Sequence, residues 1–163
     1  MKKIGLFSDT HGYIDDKLLD FFKEVDEVWH AGDIGDISVI EKTEMLKPVR
    51  AVFGNIDGQD VRIRYPENNR FKVEDVDVFI THIGGYPGRY DKRVKSEILK
   101  ETPDLFISGH SHILKVIYDN KLNLLHINPG AYGKSGFHKV RTAVRFEIDG
   151  KNIKSLEVLE VKR

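Results

Sequence analysis

Carboxylate, imidazole and amide side chains recur in five short polar clusters of this sequence. Asp9 and His11 stand in "SDTHG"; His30, Asp33 and Asp36 in "HAGDIGD"; Asn55 and Asp57 in "FGNIDG"; His82 in "THIGG"; and His110 and His112 in "SGHSH". These clusters take five of the seven histidines. There is no cysteine, which excludes disulfides, thiol catalysis and thiolate metal sites, so any metal here has only O and N ligands. Asp, His and Asn together suit divalent Mn, Fe, Co, Ni, Zn or Mg, and the share of nitrogen argues against Ca. A carboxylate such as Asp33, at a glycine-bounded turn, can bridge two cations, while Asn55 offers a neutral oxygen that adds no charge. Two cations about 3.5 to 4 Å apart activate the water between them and clamp the oxygens of an in-line displacement at phosphorus. Singly the clusters say little: chance places about 0.6 D-x-H triplets in a chain of this composition, against on the order of 0.03 for G-H-x-H. Their joint occurrence is the signal.

The elements between the clusters must bring them together. Ile4 to Phe7 reads as a strand, and Ile14, Leu18, Phe21, Phe22 and Val25 recur at helical spacing, which predicts a helix from Ile14 to about Glu24. Val28 to His30 reads as a second strand, a helix follows Asp36 and stops before Pro48, and Val49 to Phe53 reads as a third strand. This alternation is that of βαβ units with a largely parallel sheet. "FKVEDVDVFITH" predicts two strands joined by a tight Glu74-Asp75 turn, Tyr90 to Lys100 a helix, and Leu105 to Ser108 a buried strand. The tail turns at Asp119-Asn120 and Asp149-Gly150, which predicts a second, mostly antiparallel sheet packed on the first. All five clusters then follow strand ends, the rim where α/β sheets place ligand sites. Extended backbone would also aim Asp9 with His11, and His110 with His112, to one side.

Composition sets limits on the rest. A chain of 163 residues, 40% hydrophobic and 32% charged, is expected to form a single domain over 1–163. Lys+Arg and Asp+Glu both count 26, so no field draws in a polyanion, and general nucleic-acid binding is disfavoured. The apolar run after "MKK" is too short for a signal-peptide core, and no segment approaches the roughly 18 apolar residues of a membrane helix. A cytoplasmic location without membrane attachment is the expectation.

The blocks D-x-H, G-D, G-N, H and G-H-x-H, in that order, resemble those of the calcineurin-like metallophosphoesterase superfamily. "SDTHG", "GNID", "SGHSH" and "NPGA" (Asn128 to Ala131) are most similar to its small prokaryotic phosphodiesterases and to the retromer subunit that shares their fold. The resemblance implies an α/β fold, a four-layer α/β/β/α sandwich of two mixed β-sheets flanked by helices, with a dinuclear centre of divalent ions, Mn foremost. It implies one metal on Asp9, His11, Asp33 and His112, and the other on Asp33, Asn55, His82 and His110, with Asp33 bridging. Asp33, Asn55 and His110 would carry catalysis on a small phosphoester, most readily a diester. A non-catalytic protein-binding scaffold of the same fold, and a phosphomonoesterase or nuclease, are the alternatives; self-association as a homodimer or higher homo-oligomer is compatible with the exposed sheet edges of a sandwich.

Three positions depart from the family. Ile56 stands where larger members carry the histidine that protonates the leaving oxygen, so acidic leaving groups should react best. Ile37-Ser38 replaces the Arg-Gly that follows Asp36 in protein phosphatases, which argues against that activity. "THIGGYPGRY" replaces the family's usual G-H context, and leaves Arg89 either on a phosphate or in solvent. His30 either orients Asp33 or simply packs, Asp57 either moves a proton or holds a turn, and Asn128 to Gly130 form a rigid turn or pack beneath the site. His126 and His138 have no motif around them and read as structural or exposed. Trp29, Phe21 and Phe22 fit the core.

Overall fold

Short apolar runs and brief capped helices alternate along the chain. In the computed structural model, which describes residues 1–163, they are β1 (Lys2–Phe7), α1 (Asp16–Phe21), β2 (Glu27–His30), α2 (Ile37–Glu44), β3 (Val49–Ala51), α3 (Gln59–Arg64), β4 (Asn68–Val73), β5 (Val76–Thr81), β6 (Gly85–Tyr86), β7 (Arg89–Tyr90), α4 (Lys92–Lys100), β8 (Leu105–Ile107), β9 (Leu114–Asp119), β10 (Leu124–Pro129), β11 (Val140–Asp149) and β12 (Asn152–Lys162). Two five-stranded sheets result, ordered β12-β11-β1-β2-β3 and β4-β5-β8-β10-β9, with β6-β7 as a separate hairpin. In the first, β1, β2 and β3 are parallel, β11 is antiparallel to β1, and β12 pairs antiparallel with β11 at the edge. In the second, β5, β8 and β10 are parallel, flanked by antiparallel β4 and β9. Both sheets are therefore mixed.

Strand alternation sorts side chains into three cores that make four layers. Ile4 and Leu6 of β1 join Trp29, Val78, Ile107 and Phe146 between the sheets. Phe7, on the opposite face of β1, packs with Leu18 and Phe22, with Ile40 of α2 and with Val61 of α3. On the far side, Val94 and Ile98 of α4 cover Phe79 and Phe106 of the second sheet. The sandwich is thus α/β/β/α, with Trp29 and Phe22 in its cores as the apolar pattern suggests and Phe21 half-buried against the second of them.

Several boundaries differ from the sequence reading. α1 begins after Asp15, whose carboxylate accepts from Leu18 N, and gives way after Phe21 to tighter turns, Lys23 N donating to Asp20 O and Val25 N to Phe22 O, before Asp26 N bonds the Lys3 carbonyl at 2.7 Å and β2 begins. α3 was not foreseen: "QDVRIR" buries only Val61 and leaves Ile63 exposed, so it has no apolar period to read. The β6–β7 hairpin was also missed, although its Pro87-Gly88 pair, with Gly88 at φ 90°, is a turn signal. The tail does not build one antiparallel sheet: β9 and β10 close the second sheet, while β11 and β12 return to β1 and extend the first.

Candidate metal centre

The parallel strands of both sheets run toward one rim, and the polar clusters leave them there. Asp9 and His11 follow β1, Asp33 follows β2, Asn55 follows β3, His82 follows β5, and His110 and His112 follow β8. Ligand atoms of Asp9, His11 and His112 lie within 4.8 Å of one another, as do those of Asp33, His82 and His110, little more than twice the ~2.1 Å length of a divalent metal–N or metal–O bond. Asp33 stands between the groups: its Oδ2 is 3.6 Å from His11 Nε2 and 3.2 Å from His82 Nε2. Asp9 Oδ1 is 3.2 Å from His112 Nε2 and 3.8 Å from His82 Nε2. Asn55 sits exposed at the rim and, with His82, lines the adjoining cleft.

Extended backbone does not aim these side chains, contrary to the sequence expectation. Asp9, His11, Asp33, His110 and His112 all have φ between 46° and 70°, the left-handed region that L-residues enter rarely and that Asp and His tolerate better than most. Backbone bonds between the loops hold them there: Asp9 N donates to Gly32 O at 2.9 Å, His11 N to Asp33 O at 3.1 Å, and Gly109 N to His82 O at 2.9 Å. Ser8 Oγ and His110 N both donate to Asp9 Oδ2, at 2.6 and 3.1 Å. A side chain at Gly109 would fall on Ser8 Oγ and 2.8 Å from Asp9 Oδ2, so the "GHSH" loop reaches the first sheet only because residue 109 lacks one.

The polar atoms turned inward suit a cation. Five buried side-chain N or O atoms lack a hydrogen-bond partner, and Asp9 Oδ1, His11 Nε2 and His82 Nε2 are three of them. His82 Nδ1 lies 2.7 Å from the Ala31 carbonyl, which can only accept, so a neutral His82 presents its Nε2 lone pair to the Asp33 and Asp9 carboxylates. Only a proton or a cation holds lone pairs together in that way. Without a cation the cluster draws protons: burial opposes a charged His82, yet the Asp33 and Asp9 carboxylates outweigh it and raise its pKa. Burial likewise pushes the Asp9 and Asp33 carboxyls up, and the surrounding imidazoles, with Ser8 at Asp9, overcome this and hold both below the usual range.

The remaining sequence candidates support the loops from behind. His30 is fully buried, accepts from Gly32 N at Nδ1 (3.0 Å) and so donates from Nε2 to Thr10 Oγ1 (2.9 Å); burial drives its pKa down to about 3. It packs and shapes the turn. Asp57 accepts from Gly54 N, Ile34 N and Gly35 N, at 2.7, 3.1 and 2.8 Å, a turn role that ties the Asp33 loop to the Asn55 loop. Asp36 caps α2. Asn128 donates to Gly109 O and Ser111 Oγ and accepts from Gly130 N, so the "NPGA" turn does lie under the "GHSH" loop. Arg89, on β7, is exposed beside His110. His126 is buried under the same cleft. His138, read as structural or exposed, is half-buried and touches His112, with 3.2 Å between their Nδ1 atoms; nothing in its sequence context marks that contact.

Comparison with known proteins agrees with this geometry. The calcineurin-like phosphoesterase superfamily domain matches residues 1–151. The chain belongs to that superfamily. Two relatives described as probable metallophosphoesterases, from Methanothermobacter thermautotrophicus and Methanocaldococcus jannaschii, are 31% and 32% identical over 135 residues, which cover 78% of this chain and 76% and 67% of theirs. Among solved structures, one described as a novel archaeal phosphodiesterase aligns with a TM-score of 0.73 at 26% identity, over 96% of this chain and 99% of its own. A Vps29 variant from Entamoeba histolytica aligns with a TM-score of 0.77 over 99% of both chains, at 17% identity; that likeness is one of fold. Membership in the calcineurin-like superfamily makes the chain a phosphoesterase by descent, with divalent metals as the cofactors that the superfamily uses. No helix is long and apolar enough to cross a membrane.

Proposed function

We propose that the protein is a metal-dependent phosphodiesterase with a dinuclear centre. The observation that carries this is the place of Asp33, whose Oδ2 lies within 3.6 Å of His11 on one side and 3.2 Å of His82 on the other. Asp9, His11, His112 and Asp33 would hold one divalent ion, and Asp33, Asn55, His82 and His110 the other. When bound, such ions supply Lewis acidity toward phosphoryl oxygens and lower the pKa of water.

The protein's own residues fix the rest of the chemistry. The Ala31 carbonyl turns the His82 Nε2 lone pair inward, and Ser8 with His110 N satisfies the outer oxygen of Asp9, leaving Oδ1 free. Asn55 and His110, both exposed at the rim, meet the developing phosphoryl charge. Ile56 offers no proton to the leaving oxygen, so water must supply it and acidic leaving groups are favoured.

Room for two ester arms favours a diester. A cleft of about 200 Å³ beside His110 is lined by Arg89, Lys115 and Asn128, and another of about 240 Å³ beside Asn55 and His82 by Arg62 and Arg93. A third cleft of about 230 Å³, around Lys3, Glu24 and Arg145, has no ligand cluster and starts at the opposite end of β1. The test is hydrolysis of a bis-aryl phosphodiester and the matching monoester side by side with added Mn, Ni, Co, Zn or Mg. Diester turnover that chelation and Asp33→Ala abolish is expected, with Mn most effective; full activity in either case refutes the proposal.

A scaffold role is favoured by a separate observation, the exposed Val116, Ile117 and Tyr118 on the edge strand β9. It predicts no turnover on any ester and no transition metal retained after supplementation.

A further inference from the structure

His112 and His138 are joined in a way that fixes where their protons sit. His138 Nε2 lies 2.7 Å from the Gly133 carbonyl, which can only accept, so Nε2 donates and the Nδ1 of a neutral His138 is an acceptor. The atom 3.2 Å from that acceptor is His112 Nδ1, which must therefore carry the proton of its ring. In a neutral His112, Nε2 is then a bare lone pair, 3.2 Å from Asp9 Oδ1. The chain closes on itself, because Gly133 N donates to the Asp9 carbonyl at 3.0 Å. Asp9 and His112 thus share a rigid brace behind the cluster that their front atoms form.

The loop around His138 is built to keep this contact. Gly136 has φ 129°, and a side chain there would fall on His112 Nδ1 and 3.1 Å from His138 Nδ1, in the space the hydrogen bond occupies. Arg163 donates to the carbonyls of Gly136 and His138 and ties the loop down from the other side. The rings of His112 and His138 meet edge to face at 5.0 Å. A histidine that merely filled space would need neither the bare glycine nor the guanidinium.

We propose that His138 is a positioning residue for the Asp9–His11–His112 cluster, accepting the Nδ1 proton of His112 and so aiming the Nε2 lone pair of that ring at a divalent cation. The proposal rests on the metal-centre reading above. Its side-chain hydrogen bonds go to His112 and Gly133, and none reaches Asp33, His82 or His110.

Two measurements on the full chain test it. In metal-free protein with 15N-labelled histidine, long-range proton–nitrogen correlation should show a proton on His112 Nδ1 and on His138 Nε2, with His138 Nδ1 bare, whether or not His112 Nε2 also takes a proton beside Asp9. With cobalt(II) alone as the probe, His138→Phe should weaken binding at the first cluster by roughly 10–100-fold and affect the second, which shares only Asp33 with it, much less. His138→Gln, whose amide oxygen can accept from His112, should recover most of the loss. Wild-type His112 with a bare Nδ1 would overturn the proposal without any variant, as would first-cluster affinity in His138→Phe within twofold of wild type. Wild-type protein that shows the tautomer pair but binds no cobalt sinks the metal reading and the proposal with it. Cobalt at both clusters with the wrong tautomer sinks the proposal alone.

Discussion

Asp57 offers a sharp test of whether the loops or the proton chemistry depend on it. Its carboxylate accepts from three backbone N–H groups, those of Gly54, Ile34 and Gly35, and the residue is 4% exposed. Asp57→Ala leaves all three donors without a partner, at about 1–3 kcal/mol each before water refills the space. A loss of about 3–6 kcal/mol is expected, a large part of the stability of an ordinary domain. Asp57→Asn keeps one oxygen, enough for Gly54 and Ile34, but turns an NH2 toward Gly35 N–H, for a loss of about 1–3 kcal/mol. At about 1–3 kcal/mol per molar for urea, midpoints should fall in the order wild type, Asn, Ala, by 1 M or more between the ends. Metal affinity should fall in the same order, because the bonds join the loops of Asp33 and Asn55. If Asp57 instead moved a proton to the leaving oxygen, Asp57→Asn would keep its urea midpoint and lose turnover selectively on esters with poor leaving groups. That pattern would refute the structural reasoning.

Other outcomes follow from single contacts. His126 is buried and its pKa is pushed down to about 4 by burial, so the unfolded chain binds more protons between that value and 6.5. Its contribution, at most about 3 kcal/mol, is complete above pH 6.5 and lost as pH falls toward 4; His126→Leu should therefore narrow the gap in urea midpoint between pH 4.5 and 7.5, and an unchanged gap counts against it. Gly109→Ala should cost about 1–3 kcal/mol and weaken metal binding, since its methyl meets Ser8 and Asp9; a calorimetric titration with Mn checks it, and wild-type affinity would contradict the packing argument. Lys115→Ala, in the cleft beside His110, should raise KM for diesters severalfold more than for monoesters with cation affinity unchanged; equal effects on both would remove that cleft from diester recognition.

Much of the fold was legible because its signals are local. The apolar run of β1, the Glu74-Asp75 turn, the tail turn within a residue of Asp149-Gly150 and the helix start after Asp36 need no long-range partner to be read. What escaped depends on partners far along the chain. The chain after α1 bonds back to Lys3, more than 20 residues earlier, through the Asp26 N–H, and β11 pairs with β1, at the other end of the sequence, a partner no local window contains.

The candidate site divides in the same way. Residue types and order brought all seven positions to one rim, but the argument from extended backbone was wrong. Five of the seven sit at positive φ, a conformation that costs about 1–3 kcal/mol per non-glycine residue. The loops sustain it through bonds to partners 20 or more residues away, Asp9 to Gly32 and His11 to Asp33 among them. Asp and His fit on both counts, since they tolerate the left-handed region and supply ligand atoms. A substitution that keeps a donor atom but dislikes that backbone, such as Asp9→Glu, therefore perturbs the centre through the main chain as well as through reach. His138 lay beyond reading for the complementary reason: its role comes from the Gly133 carbonyl and a glycine at 136, and neither leaves a pattern around it.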